Sequence, residues 1–316
     1  MITLKSKGIK MFLFPAVLAR RYYLRKKRKH IFRDPDFVYK DTKGFVSEQY
    51  KLAFGKYPDL ENPVTFNEKL QWLKLYWHNP DAKRCADKFD VRQYIKEKLP
   101  DSKQYLNEVY GVYNDPEEID FDSLPNQFVL KSTHASAQTI ICRDKNTLNR
   151  TAAIAEMKQW LQVDYFAAAG EWVYKDLPRR IICERLITSD DGYPPKDYKI
   201  MCFNGVPKFL YVISERSGHH FKMDYFNCEW QPLPVTQTGP RGGRILPPPR
   251  YLLDKMMEIS KILSKDFPHV RVDFYIENNN LLIGELTFFT TGGYGPLSPA
   301  KYDTIFGSYL TLPDKQ

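Results

Sequence analysis

The stretch "RVDFYIENNNLLIGELTFF", residues 271–289, reads as two apolar strands meeting at three asparagines, with the acids Asp273 and Glu285 set inside the strands. With residues 278–280 as the loop, Glu277 pairs with Leu281. Counting back from there sets Asp273 across from Glu285 and Arg271 across from Thr287 on the same face. Directly opposed side chains place their Cβ atoms about 4.5–5.5 Å apart, and like charges at that separation destabilise a sheet unless a cation lies between them. Magnesium, held by one or two carboxylates and completed by substrate phosphates, suits that role. The plain alternative is a solvent-facing hairpin whose two acids are simply hydrated.

Upstream of this hairpin, "YLLDKMMEISKILSKDF" has the spacing of an amphipathic helix. Before it, "DYKIMCFNGVPKFLYVISER" predicts a second hairpin turning at Asn204-Gly205, with Asp197 and Lys199 on one face and the return strand ending at Arg216. "RRIICERLI" predicts a buried strand carrying Glu184 and Arg185. "FVLKSTHASAQTIICRD" predicts strand, small-residue turn and strand. Such a turn can bring backbone N–H groups close to phosphate oxygens while Lys131 supplies a point charge, although a lone edge lysine reads equally as a solvated one. "VTFNEKLQWLKLYW" opens with the capping box Thr65-x-x-Glu68 ahead of a helix with Phe66, Leu70, Leu73 and Trp77 on one stripe. "DAKRCADKFDVRQYIKEKLP" predicts one helix ended by Pro100, and residues 151–169 predict another. These elements give an α+β protein, helices packed on antiparallel sheets, with no internal repeat.

The chain has 316 residues and a formal charge of +9, but residues 1–33 hold 11 Lys/Arg and no Asp/Glu. The other 283 residues carry 36 basic against 38 acidic side chains, a net of −2. A body that tracks a phosphate backbone carries its own basic face, so nucleic acid is not an expected partner. Five scattered cysteines and six histidines show no metal-ligand spacing, which suits reduced thiols in the cytoplasm. The apolar run at residues 11–19 is far shorter than the roughly 20 residues needed to span a bilayer. Followed by "RRYYLRKKRK", it suits an anionic membrane surface on the cytoplasmic side, where each basic residue contributes about 1 kcal/mol. A solubilising extension accounts for the same residues.

Taken in order, Asp87-Lys88, the Lys131 strand with its small-residue loop, "CERLI" and Arg271-x-Asp273…Glu285 resemble an ATP-grasp enzyme. "FNEKLQWLKL", "DKFDVRQYI", "LPNQFVLKSTH", "DYKIMCFNGVPK" and "RVDFYI…IGELTF" resemble, more closely, the TupA-like ATP-grasp proteins of bacterial surface-polysaccharide clusters. That likeness covers roughly residues 45–312 and implies an ATP-grasp fold, in which two antiparallel-sheet subdomains hold a nucleotide. The implied organisation is a tail at 1–33, a helical and mixed region at 34–124, a lid at 125–190 and a metal-bearing subdomain at 191–316. It further implies ATP and Mg2+ as cofactors. Lys131 and Lys199 would hold the phosphates, with Asp197 positioning Lys199 and with Ser132 and Ser136 in the adjoining loop. Glu184, Arg185 and Leu186 would meet adenine, and Asp191 (with Asp190 as its alternative) the ribose. Asp273, Glu285 and Thr287 would hold magnesium, and Arg271 and Arg216 would face the transferred phosphoryl group.

Two positions depart from the family pattern. Thr287 stands where asparagine is usual, and Ala135-Ser136-Ala137 replaces a glycine-bearing phosphate loop; each added Cβ narrows backbone approach. The implied reaction joins a carboxylate to an amine through an acyl phosphate. The expected substrates are an amino acid and a surface glycan or its lipid-linked precursor. "TGPRGGRILPPPR" and "TTGGYGPLSPAKY" are the candidate substrate loops. The same nucleotide clamp would serve a kinase acting on a sugar or a lipid-linked glycan, and a membrane-peripheral scaffold with a degenerate site is the third reading.

Overall fold

Two antiparallel sheets and the helices on their faces build the molecule, as a computed structural model describes it over residues 36–189, 194–217, 220–243 and 245–315. The basic tail and Asp191 lie outside the described residues. The smaller sheet has the order β1–β4–β2–β3, from β1 (Val109–Tyr113), β2 (Phe128–Ser132), β3 (Thr139–Cys142) and β4 (Ile181–Arg185). Its edge strand β1 therefore comes from upstream of residue 125. The larger sheet has the order β10–β9–β5–β6–β7–β8. Its strands are β5 (Asp197–Phe203), β6 (Val206–Ser217), β7 (His220–Asn227), β8 (Pro232–Leu233), β9 (His269–Glu277) and β10 (Asn280–Thr287).

Period-two alternation sorts the larger sheet into two faces. Ile200, Leu210, Val212, Val270 and Val272 are fully buried, on the side of helix Arg250–Ser264, whose Ser260 carbonyl lies 3.9 Å from the Cys202 thiol. The opposite face carries Asp197, Lys199, Tyr211, Arg271 and Asp273. Farther along the sheet, aromatic packing takes over: Phe66 meets Phe203 edge-on, and Phe209 stacks on Phe306 at 3.9 Å. The helix Phe66–Tyr76 that supplies Phe66 begins at the expected capping box, with Thr65 accepting from the Glu68 N–H and Glu68 from the Thr65 N–H. A separate core under the smaller sheet joins Phe128, Leu130 and Cys183 to Met157 and Trp160 of helix Arg150–Leu161. Among the described residues no helix is long and apolar enough to cross a membrane.

Three expectations need correction. The single helix expected after Trp77 is two, Pro80–Ala86 and Val91–Lys98. Between them the Asp87 carboxylate accepts from the N–H groups of Phe89 and Asp90 at 2.8 and 2.9 Å, a local bond that competes with helix continuation. The helix expected over 151–169 ends at Leu161 and resumes only as Phe166–Ala169, because Asp164 turns to accept from the Ala167 N–H and left-handed Gly170 closes the piece. The loop of β9 and β10 is also shorter than three residues. Asn278 and Asn279, at φ 50° and 60°, form a two-residue turn, so Asn280 faces Glu277. A bulge at Gly284 then shifts the register by one and restores Glu285 opposite Asp273 and Thr287 opposite Arg271. The expected pairs form, for a different reason.

Candidate active site

At the polar end of the larger sheet, β5, β9 and β10 bring their charged side chains into one network. Lys199 faces Asp273 in the β5–β9 register and Tyr211 in the β5–β6 register. The cation between the two opposed acids is the guanidinium of Arg271. Its Nε and Nη2 donate to the two oxygens of Asp273 at 2.6 and 2.7 Å, and Nη2 also donates to Glu285 at 2.8 Å and Thr287 at 2.9 Å. Its Nη1 donates to the Tyr211 hydroxyl at 3.0 Å. Lys199 donates to the second oxygen of Asp273 and lies 3.7 Å from Asp197, which accepts from Arg216 at 2.6 Å. Seven of the expected residues thus share one connected cluster.

Burial decides the electrostatics. Asp273 is 1% exposed, and burial pushes its carboxyl up while Arg271 and Lys199 pull it down. Burial works against the Lys199 ammonium, but Asp197 and Asp273 hold its pKa above the ordinary value. The Glu285 side chain keeps 40% of its surface. Burial among the cleft walls opposes its charge, yet Arg271, Lys199 and Lys88 together hold its pKa down to about 2.

The smaller sheet supplies the facing wall. Lys131 donates to Glu184 at 2.8 Å, and Arg92 lies 3.8 Å from the other oxygen of Glu184. Lys131 feels the charges of Glu285 and Asp197 across the gap. Lys88, delivered by the break at Asp87, donates through Nζ to the Ala135 carbonyl, and its own N–H meets the Thr133 carbonyl at 3.0 Å. Burial lowers the Lys88 pKa, against the pull of Glu285. Four cations (Lys88, Lys131, Lys199 and Arg271) therefore converge on the space beside Glu285.

The remaining expected residues are more dispersed. Arg185 turns away to Glu277 at 2.6 Å, and its carbonyl accepts from Asn107 at 2.8 Å. Glu277 also accepts from the Thr188 N–H at 2.8 Å, so it ties the exit of β4 to the larger sheet. Leu186 is half-buried just after β4. Ser132 is fully buried, its hydroxyl without a hydrogen-bond partner, whereas Ser136 is exposed at the loop tip. Beside it Ala137 adopts φ 64°, the left-handed conformation that costs a residue with a Cβ about 1–2 kcal/mol. Sequence reasoning gave no role to Lys88, Arg92 or Tyr211. A signal existed for Lys88, since an aspartate ahead of it can break a helix. None existed for Tyr211, whose pairing with Lys199 depends on a bulge near Met201 and Cys202.

The donor set fits magnesium. Two carboxylates and a hydroxyl are hard oxygen donors, and Arg271 shows that their oxygens already converge on a positive centre. Among the described residues no group of three or more His, Cys, Asp or Glu is placed to hold a metal, so the protein alone supplies a partial shell, the arrangement that substrate phosphates complete.

Gly284 sets this geometry, because its bulge aligns Glu285. An added Cβ would sit 2.7 Å from Cε2 of Tyr275. Gly284→Ala should cost about 1–3 kcal/mol by overpacking, read as a shift in the urea midpoint. Because the register of Glu285 moves with the bulge, nucleotide binding should weaken as well.

A family model described as "TupA-like ATPgrasp" matches residues 68–311. Among solved structures, the chain is similar to a D-alanine–D-alanine ligase from Bacillus anthracis complexed with ATP, at 14% identity over 65% of this chain and 54% of that one, with a TM-score of 0.38. It is also similar to the ATP-grasp ligase PsnB complexed with minimal precursor, Mg and ADP (12% identity, 66% and 52% covered, TM-score 0.36). A D-alanine–D-alanine ligase from Helicobacter pylori gives 14% identity, 73% and 60% covered, and a TM-score of 0.40. The chain spans little more than half the length of the first of these. Among curated proteins none matches the chain.

Proposed function

The chain belongs to the TupA-like ATP-grasp family, and on that premise we propose that it is an ATP- and Mg2+-dependent ligase that forms a C–N bond between a carboxylate and an amine. The observation that supports this best is the charge arrangement: four cations, three from the two sheets and Lys88 from the break between helices, surround a pair of opposed acids. A triphosphate with its metal complements such a set, and the network offers no activated serine, cysteine or histidine for covalent catalysis.

Asp273, Glu285 and Thr287 would hold magnesium, which when bound neutralises phosphate charge. Lys131 and Lys199 hold the phosphates from opposite walls, and Lys88 extends that clamp. Asp197 fixes Lys199 from one side and Arg216 from the other. Arg271 hydrogen-bonds the oxygens that the metal would take, so in the loaded site its guanidinium is free to turn to the γ-phosphoryl oxygens. The substrate carboxylate attacks that phosphorus, ADP leaves, and the acyl phosphate is consumed by the amine. Positioning and charge complementarity supply the rate enhancement. The acceptor reading, an amino acid joined to a uronic acid of a surface polysaccharide or its lipid-linked precursor, rests on the family's setting. Residues 1–33 would then hold the enzyme at the cytoplasmic membrane surface where that precursor is kept.

The test incubates the full chain with Mg-ATP, a panel of hexuronic acids and L-amino acids. Release of ADP and phosphate requiring both substrates, with an amide product by mass spectrometry, is the expected result. A phosphorylated sugar with no free phosphate would instead identify a kinase, and no nucleotide binding at millimolar Mg-ATP would leave a scaffold.

A further inference from the structure

Of the four converging cations, Lys88 alone sits on no strand, so its place in the clamp depends on how the break between helices Pro80–Ala86 and Val91–Lys98 is held. Its backbone N–H donates to the Thr133 carbonyl at 3.0 Å and its ammonium to the Ala135 carbonyl. Both acceptors belong to the small-residue loop after β2. An ammonium carries three N–H donors, so the bond to Ala135 leaves donors for phosphate oxygens. Thr133 is itself fully buried, and its N–H donates at 2.9 Å to the carbonyl of Arg180, the residue just ahead of β4.

The Arg180 side chain closes this circuit. Its Nη2 lies 3.1 Å from Oδ1 of Asp87 and 2.8 Å from Oδ2 of Asp90, and its guanidinium sits 5.3 Å from the centre of the Phe89 ring. One guanidinium thus grips the residues on both sides of Lys88, while its own carbonyl, through Thr133, holds the Lys88 backbone. The grip falls where the chain needs it. The Asp87 carboxylate is fully buried, with Oδ1 accepting from the Phe89 and Asp90 N–H groups and Oδ2 left without a hydrogen-bond partner. Such a carboxylate is costly unless a cation is paired with it, and Arg180, with 17% of its side chain exposed, is the cation beside it.

We propose that Arg180 is a positioning residue of the nucleotide clamp: by pairing with Asp87 and Asp90 it fixes the helix break to the smaller sheet and sets the Lys88 ammonium in place for phosphate. This role rests on the ligase function proposed above. Arg180 acts through Lys88 rather than on the nucleotide. Placing the ammonium before the nucleotide arrives removes an ordering cost from binding. A guanidinium suits the task better than an ammonium would, because its planar fork can serve two carboxylates while its face covers an aromatic ring.

The experiment is calorimetry of the full chain with Mg-ATP, comparing wild type, Lys88→Met, Arg180→Gln and the double variant. Lys88→Met should weaken nucleotide binding about 10-fold, the worth of one charge-assisted hydrogen bond. Arg180→Gln should weaken it by a similar factor, and the double variant by no more than either single one, because both changes remove the same contact. Asp90→Asn, at a side chain 33% exposed, serves where Arg180→Gln fails to fold. It should weaken binding about 2–5-fold, and only while Lys88 is present. A purely structural role would lower the melting temperature and leave the loss of affinity the same with or without Lys88. Losses that multiply in the double variant, or an Arg180 or Asp90 variant that melts lower yet binds nucleotide as wild type does, would overturn the proposal. Wild type that binds no Mg-ATP would instead remove the ligase reading itself, and this proposal with it.

Discussion

Asp273→Asn is expected to lower the stability of the protein by about 3 kcal/mol, the lower end of the cost of removing one partner from a buried ion pair. Considering the two opposed acids alone gives the opposite sign, since neutralising either would relieve repulsion. The geometry reverses that expectation. Asp273 is almost wholly buried and accepts from Arg271 twice and from Lys199. An asparagine offers one acceptor oxygen and turns an amide donor toward two cationic donors. The loss stays near the lower end because Arg271 keeps Glu285, Thr287 and Tyr211, and Lys199 keeps Asp197 at 3.7 Å. Urea denaturation should show a lower midpoint with an unchanged m-value. An unchanged midpoint would mean that the guanidinium does not occupy the space between the acids.

The example shows which features the sequence makes legible. Element type followed from periodicity and caps: the capping box at Thr65 and the turn at Asn204-Gly205 formed as read, because each is a local bond set by residues within a few positions. The pairing of Asp273 with Glu285 was also legible, but only because two deviations cancelled. The turn is one residue shorter than three asparagines suggest, and the bulge at Gly284 restores the count. A bulge depends on what packs above it, here the ring of Tyr275, and that contact has no signature within the hairpin. β7 went unread for a similar reason. His220–Asn227 follows a turn-like stretch, and its apolar positions gain meaning only once β6 is beside it. Lys88 was given no role because it becomes chemical through partners distant in the chain, Ala135 at 47 residues and the charges of Lys131 and Glu285.

Glu285→Gln should separate function from stability where Asp273→Asn mixes them. The Glu285 side chain keeps 40% of its surface and contributes one of several bonds to Arg271. A glutamine oxygen can still accept from Nη2, so the stability change should stay within about 1 kcal/mol, as for exposed pairs. The chemistry depends on the charge itself. Neutralising one of two carboxylates weakens magnesium and leaves the four cations short of their counter-charge, so Mg-ATP turnover should fall by about 10²–10³-fold. Calorimetry should show nucleotide binding that needs far more magnesium, whereas a structural role for Glu285 would leave the magnesium requirement unchanged. The pH dependence sharpens the test. Because the folded protein depresses the Glu285 pKa from 4.5 to about 2, the stability it contributes is complete above 4.5 and is lost only as pH falls toward 2. Glu285 therefore stays charged throughout the neutral range, and the activity deficit of Glu285→Gln should be the same at pH 6 as at pH 9. A deficit that closed as the pH fell would mean that wild type was losing the same charge, and with it the metal-ligand role of Glu285.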